Sequence, residues 1–217
     1  MNITLASKAA PPGGSGSPGS SALDEETARA EVYGLLATLC YAVPSAGVLA
    51  QLRVAVTQAP VPGSFLEAPW HALVAAARAL DDAAIRDEYN ALFAGVGKPD
   101  VYLFGSHYLS GFLNEKPLAA LRGDLARLGL ARDEAMSETE DHIAYLCEVM
   151  RYLIAGDDVA VANLTTQRWF FTTHLQPWVK TMCDAIRQHP QAHFYGALAE
   201  FLQAFVEVEV QGFDMLA

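Results

Sequence analysis

Apolar residues recur every three or four positions along almost the whole chain from Asp24 onward. This spacing places them on one face of an α-helix. The first stripe comprises Val32, Leu35, Leu36, Leu39 and Cys40. Only Val206–Val210 alternates with a period of two, and it continues a helical stripe without a turn signal. The pattern therefore predicts an all-α fold with that segment helical.

Polar residues before the apolar stripes indicate where helices begin. Asp24 is predicted to cap the first helix. Ser137 and Glu140 have the spacing of a capping box, in which each side chain bonds the other residue's backbone amide. Asp157 or Asp158 is expected to start the following helix. Counting the stripes gives a bundle of about ten helices.

The first 22 residues differ from the rest because they are rich in Gly, Pro and Ser. Such a segment has too few apolar side chains to pack. We therefore expect a disordered tail over 1–22, followed by one helical domain over 23–217.

Charge narrows the choice of partners. The chain carries a net charge of −11, so a nucleic-acid-binding role is excluded. No apolar run reaches the ~18 residues of a membrane-spanning helix, which predicts no membrane insertion. Residues 133–217 hold 13 acidic and 4 basic residues, a net of −9. This part either attracts a basic partner or is a solvated acidic face that aids solubility.

Cysteine and histidine spacing gives no support for a metal or a disulfide. Cys40, Cys147 and Cys183 are widely spaced and lie in apolar stripes, so core packing is expected. His189 and His193 have a ligand spacing, but Pro190 between them indicates a helix boundary. We predict no cofactor. The absence of a signal-peptide pattern at the N-terminus indicates a cytoplasmic protein.

The clearest cluster of polar residues surrounds Asp141 and His142, with Glu138 and Glu140 beside them. No phosphate-binding loop or nucleophile motif accompanies the pair. One interpretation is structural, because carboxylates stabilise a helix N-terminus. The other is an acidic rim beside an apolar groove, able to receive a cationic group of a peptide.

Aromatic residues are concentrated in a segment rich in Gly and Pro. They are Tyr89, Phe93, Tyr102, Phe104 and Tyr108. They either belong to the core or, since connecting segments lie at the surface, anchor an apolar peptide.

Four blocks of sequence resemble the TorD/DmsD family of chaperones dedicated to redox enzymes. The first, Glu88–Gly95, is similar to the family's E-Y-x-x-L-F-x-G stretch. The second runs over 106–130, and the third, Glu140–Met150, contains an Asp-His pair like the family's. The fourth, His174–Trp178, is similar to H-L-x-P-W. In order and spacing the resemblance covers roughly residues 24–213.

This resemblance implies an all-helical, non-enzymatic protein without a cofactor. Its partners would be the twin-arginine signal peptide and the apo-precursor of a molybdoenzyme, which it holds in the cytoplasm until the cofactor is inserted. The second and third blocks are most similar to members that accompany formate dehydrogenases. The resemblance also allows a homodimer and weak binding of a guanine nucleotide. The sequence departs from the family's Pro-rich aromatic turn at 98–105.

Together, the motifs and the resemblance predict a peptide-binding set of nine residues. The set is Tyr89, Leu92, Phe93, Tyr102, Phe104, Tyr108, Glu140, Asp141 and His142. Two alternatives stay open. One is a nucleotide-hydrolysing enzyme that uses Asp141 and His142. The other is a helical scaffold subunit in which the aromatic side chains are fully buried.

Overall fold

The computed structural model describes residues 20–57, 64–95, 98–113, 115–133 and 136–215. These residues form ten α-helices, α1 to α10. In chain order the helices are Ser20–Tyr41, Ala46–Val54, Glu67–Ala79, Asp82–Phe93, Gly105–Ser110, Lys116–Arg127, Ile143–Ala155, Leu164–His174, Gln176–Gln188 and Phe194–Asp214.

Within the described ranges no strand forms, and one isolated antiparallel bridge joins Phe104 to His142. Residues 206–210 are helical within α10. The predicted all-α class and the number of helices are confirmed. None of the described helices has the length and apolar character needed to span a bilayer.

Contacts divide the chain into two compact units. Unit 1 combines α1 with α5 to α8, and unit 2 combines α2 to α4 with α9 and α10. The chain passes from one unit to the other after Tyr41, before Phe104 and after Leu175. One domain over 23–217 stays a prediction.

In unit 1, α7 is the central helix and packs against α1 and α8. Every residue from Ile143 to Met150 is buried, as expected for a helix covered on all sides. Glu148 faces Arg151 at 3.2 Å, and burial raises the pKa of this carboxyl group. On α1, Gly34 leaves space for the Arg151 side chain, since a Cβ there would approach Arg151 Cδ to 3.1 Å.

In unit 2, α10 packs against α9, α3 and α4, and α2 packs against α3. Aromatic side chains fill much of this core. The buried ones are Trp178, Phe194, Tyr195, Phe201, Phe205 and Phe213. Across the two units, all three cysteines are buried and free, which confirms their predicted place in the core.

Two predicted helix starts are wrong. Helix α1 begins at Ser20, before the predicted cap Asp24; the rest of the predicted tail lies outside the described residues. Helix α8 begins after Asn163, whose side chain accepts from Thr166 N at 3.0 Å. Asp158 instead accepts from Ala160 N in the preceding turn. Asp and Asn cap turns as readily as helices, so local sequence favoured the wrong residue.

The aromatic segment contains a helix that the sequence did not indicate. Helix α5, Gly105–Ser110, has only six residues. It ends at Gly111, which has a φ of 79°, a left-handed conformation that costs glycine little. Gly129, with a φ of 71°, follows the end of α6 in the same left-handed conformation.

Candidate functional site

The Asp141 side chain holds the N-terminus of α5. Its carboxylate accepts hydrogen bonds from Ser106 N at 2.9 Å and from Ser106 Oγ. Thr139 Oγ1 donates to its other oxygen at 2.7 Å, and the Asp141 carbonyl accepts from Gly105 N. Asp141 is only 4% exposed. The residue therefore caps a short helix 35 positions earlier in the chain rather than forming an exposed rim.

His142 is the N-cap of α7. Its Nδ1 accepts from Ala144 N at 3.2 Å, and its ring meets the rings of Phe104 and Tyr41 edge to face. Burial lowers the pKa of His142 to about 4, against the opposing effect of Asp141. The ring is thus neutral at neutral pH, with Nδ1 as an acceptor and the proton on Nε2.

The predicted capping box is wrong, because Glu140 pairs with arginines instead. Its Oε2 accepts from Arg122 Nε at 2.9 Å and lies 2.8 Å from Arg122 Nη2. Its Oε1 lies 3.8 Å from Arg132 Nε. Ser137 Oγ donates to Glu138 at 3.2 Å, so Ser137 does not cap α7. Glu140 is 8% exposed, whereas the side chain of Arg122, on α6, is 52% exposed.

Tyr145, the third residue of α7, carries a buried phenol. Within the described part of the chain its oxygen has no hydrogen-bond partner. Burial raises the pKa of Tyr145 to about 12, and Glu140 adds to this effect while Arg132 opposes it. The phenol therefore lies within electrostatic reach of the Glu140 ion pair.

Apolar side chains are exposed at the end of α5, and the sequence prediction missed them. Leu109 and Leu113 are exposed, and Phe112 is 71% exposed. We call Leu109, Phe112 and Leu113 the 109–113 patch. Gly111 reverses the chain between its members. The signal available in the sequence was their adjacency to Tyr108, which is half-buried like Phe104.

The predicted aromatic residues of unit 2 form a separate cluster. Tyr89, Phe93 and Tyr195 contact one another edge to face, with ring centroids 5.1 to 5.6 Å apart. Tyr89, Phe93 and Tyr102 are half-buried, whereas Leu92 is fully buried. Tyr89, Phe93 and Tyr102 thus retain some accessible surface, and Leu92 acts as a core residue.

Glu88, which opens the first sequence block, has a structural role that the sequence did not reveal. Its carboxylate accepts from the backbone amides of His193, Phe194 and Tyr195 at 2.7 to 3.0 Å. These amides begin α10, which has no side-chain cap of its own. A buried carboxylate from α4 therefore supplies the cap.

The fourth block is likewise structural. His174 Nε2 lies 2.8 Å from Asp124 Oδ2, and both side chains are buried. Arg127, on the same helix as Asp124, pairs with that carboxylate and lies over the Trp169 ring at 5.7 Å. The block therefore links α8 to α6.

No metal centre is indicated among the residues described. They contain no group of three His, Cys, Asp or Glu side chains able to hold an ion. His189 and His193 flank the boundary between α9 and α10, as Pro190 predicts.

The nine predicted binding residues fall in both units. Tyr89, Leu92, Phe93 and Tyr102 lie in unit 2, and the other five lie in unit 1. Within unit 1 the structure brings Phe104, Asp141 and His142 together around α5. Their role in binding stays a prediction.

Comparison with known proteins gives a family. Residues 64–184 match the family described as "Nitrate reductase delta subunit". This range contains all four sequence blocks.

Curated relatives include two chaperones. The chain is 24% identical over 130 residues to "Chaperone protein TorD" of Vibrio parahaemolyticus, an alignment covering 56% of this chain and 60% of that protein. It is 26% identical over 112 residues to "Chaperone protein TorD" of Vibrio cholerae, covering 49% of this chain and 51% of that protein. The chain thus matches little more than half the length of these relatives. The family match covers more than half of the chain, and the chain belongs to the nitrate reductase delta subunit family, the TorD-type family that its sequence blocks predict.

Proposed function

We propose that this protein is a non-enzymatic chaperone that binds the twin-arginine signal peptide of a molybdenum-containing oxidoreductase and assists cofactor insertion before export. The observation that carries the proposal is the family match over 64–184, which includes all four blocks. The relatives' name, chaperone protein TorD, supports the same role.

The 109–113 patch is the surface we assign to the apolar part of the peptide. It offers one exposed aromatic and two exposed leucines at and just after the end of α5. Burying a phenylalanine of this kind contributes about 1.5–3 kcal/mol. Most of the affinity would come from such burial, and charges would set specificity and association rate.

In this scheme Asp141 and His142 act as positioning residues. Asp141 fixes the start of α5 through Ser106, and His142 packs on Phe104 immediately before that helix. Through these contacts both residues fix the start of α5, the helix that leads into the 109–113 patch. The same bonds argue against hydrolysis by the pair, because Asp141 and the Nδ1 of His142 already accept hydrogen bonds inside the protein.

Finer features of the role remain predictions. They are a formate dehydrogenase as client, action in the cytoplasm, a homodimer and weak binding of a guanine nucleotide. None of them rests on a contact in the structure.

Calorimetric titration tests the proposal. The ligands are signal peptides of twin-arginine molybdoenzymes from the same genome, with the two arginines intact or replaced by alanine. Phe112→Ser is the test variant, and Phe65→Ser is its matched control because Phe65 is 75% exposed in unit 2. We expect the arginine peptide to bind, with an affinity about tenfold lower for Phe112→Ser and unchanged for Phe65→Ser.

Two results would contradict the proposal. Failure of every such peptide to bind the unaltered protein removes the chaperone role. Equal loss of affinity in Phe112→Ser and Phe65→Ser, or in neither, removes the 109–113 patch as the binding surface.

A further inference from the structure

The ion pair between Arg122 and Glu140 is unequal in its exposure. Glu140 is nearly buried, whereas the Arg122 side chain is 52% exposed. Among the described residues Arg122 donates hydrogen bonds only to Glu140. Arg132, by contrast, is fixed by the carbonyls of Met136 and Glu138. Arg122 is therefore a solvent-facing guanidinium whose hydrogen bonds go to one group, the Glu140 carboxylate. That carboxylate has little access to water.

A buried carboxylate needs a cation, but it does not require a particular one. Without Arg122, Glu140 would keep only Arg132, whose Nε lies 3.8 Å from Oε1, and the nearly buried carboxylate would still bear much of its desolvation penalty. Detaching an exposed arginine costs little by comparison, since its charge is readily hydrated and its side chain regains rotamer freedom. Arg122 can thus leave cheaply only when another cation takes its position.

The pairing geometry selects the kind of cation. Two nitrogens of Arg122, Nε and Nη2, approach the same oxygen of Glu140 at 2.9 and 2.8 Å. A guanidinium presents such paired N–H groups, and an ammonium does not. The buried Tyr145 phenol lacks a hydrogen-bond partner in the described part of the chain, and it lies within electrostatic reach of Glu140.

We propose that Glu140 is a guanidinium-binding subsite that Arg122 fills in the free protein, and that an arginine side chain of the bound peptide replaces Arg122 there. The second half of this proposal rests on the proposed function, because it takes the ligand to be a twin-arginine peptide. Arg122 is then an internal competitor that sets a threshold for binding. A peptide without arginine would gain no affinity from the removal of Arg122.

A small probe tests the subsite without any peptide. Arg122→Ala should melt below the unaltered protein, and millimolar ethylguanidinium should restore part of the loss, whereas ethylammonium should not. Arg127→Ala is the matched control on the same helix, because it removes an arginine from a different carboxylate, that of Asp124. Neither Arg127→Ala nor Arg122→Ala/Glu140→Gln should respond more than the unaltered protein. If Arg122→Ala does not fold, Arg122→Gln takes its place.

The displacement is tested by titration with a synthetic peptide carrying two adjacent arginines before an apolar helical segment. Its affinity for Arg122→Ala should be about fivefold higher than for the unaltered protein. The same peptide with two glutamines should not distinguish the two proteins. In the unaltered protein, the Nε–H of Arg122 should exchange faster with water when the arginine peptide is bound.

The outcomes separate the two proposals. No specific rescue by ethylguanidinium overturns the subsite. Rescue without tighter peptide binding by Arg122→Ala, where the unaltered protein binds the peptide, overturns the displacement. Rescue with no peptide binding to either protein leaves the subsite standing and overturns the proposed function.

Discussion

At the scale of single residues, His142 shows how a side chain can match a functional motif and still have a structural task. The ring caps α7 through Nδ1 and packs between Phe104 and Tyr41. The hydrogen bond requires an unprotonated Nδ1, and the ring contacts place the imidazole among aromatic side chains. Protonation would remove the acceptor at Nδ1 and place a charge in a buried position.

The pH dependence of stability should therefore contain a contribution from His142. Burial lowers the pKa of this histidine from 6.5 to about 4, so between these values the unfolded chain binds a proton that the folded chain does not. Stability then falls as the pH drops below neutrality, by about 3 kcal/mol at full effect. Urea denaturation at a series of pH values measures it.

The variant His142→Asn isolates this contribution. Asparagine is a good N-cap and can accept from Ala144 N, but it does not titrate. The variant should lose less stability than the unaltered protein on acidification. Part of the slope should persist, because burial and Arg127 also lower the pKa of His174 to about 4. Identical pH profiles for the two proteins would show that His142 titrates normally in the fold.

The same residues show where sequence reasoning stops. The motif around Asp141 singled out this position, but it could not identify Ser106 as the hydrogen-bond partner. That hydrogen bond joins residues 35 positions apart, and periodicity carries information only about near neighbours. Glu140 was assigned to a local capping box for the same reason, while its partner Arg122 lies on another helix.

At the scale of helices, the periodic pattern predicted the presence of helices well, but it predicted their first and last residues poorly. The body of a helix forms because an apolar face is buried, and the spacing of apolar residues in the sequence shows that face directly. Ends depend on which polar group satisfies the free amides and carbonyls. In unit 2 those groups are often distant. Arg53 donates to the carbonyls of Ala77 and Leu80 at the end of α3. Arg78 in turn donates to Arg53 O and Ala55 O after α2.

The distant cap on α10 should be energetically important. Glu88 is buried and satisfies three amides at the start of this 21-residue helix. Glu88→Gln replaces one acceptor oxygen by a donor that faces those amides and removes a charge favourable to the helix dipole. We expect a loss of about 2–3 kcal/mol in the free energy of unfolding, measured by urea denaturation.

The neighbouring residue supplies the control. Asp87 is exposed and lies 3.9 Å from Arg86 in a weak surface pair, so Asp87→Asn should change stability by less than about 0.5 kcal/mol. Equal stability of Glu88→Gln and Asp87→Asn would mean that water can replace the Glu88 cap.

At the scale of the whole molecule, the structure divides the acidic residues of 133–217 into a buried group and an exposed group. Of the acidic residues in 133–217, Glu140, Asp141, Glu148 and Glu209 are buried. Being buried, these four carboxylates present little charge directly to the solvent. Most of the others described in this range are exposed or half-buried, and they belong to a chain with a net charge of −11. The exposed acidic residues therefore contribute a general negative field in addition to the local cluster around Asp141 that the sequence suggested.

A field of this kind acts on encounter rather than on the bound state. An exposed carboxylate contributes little to affinity, but the summed charge attracts a cationic peptide over distances of about a Debye length. The association rate of a two-arginine peptide should fall about tenfold between low and high salt, while its dissociation rate changes little. Stopped-flow fluorescence of a labelled peptide measures both rates.

Two controls distinguish electrostatic steering of the peptide from an acidic surface that only aids solubility. A peptide with glutamines in place of the arginines should show a flat salt dependence. The variant Asp157→Asn/Asp158→Asn removes two exposed charges from the turn before α8 and should lower the association rate of the arginine peptide at low salt only. If the rates for both peptides respond equally to salt, the acidic surface is a solvated face with no part in recognition. A salt-dependent association rate combined with a salt-insensitive dissociation rate would instead assign recognition to two stages. Long-range attraction would bring the peptide in, and apolar burial with the paired contacts of Glu140 would retain it.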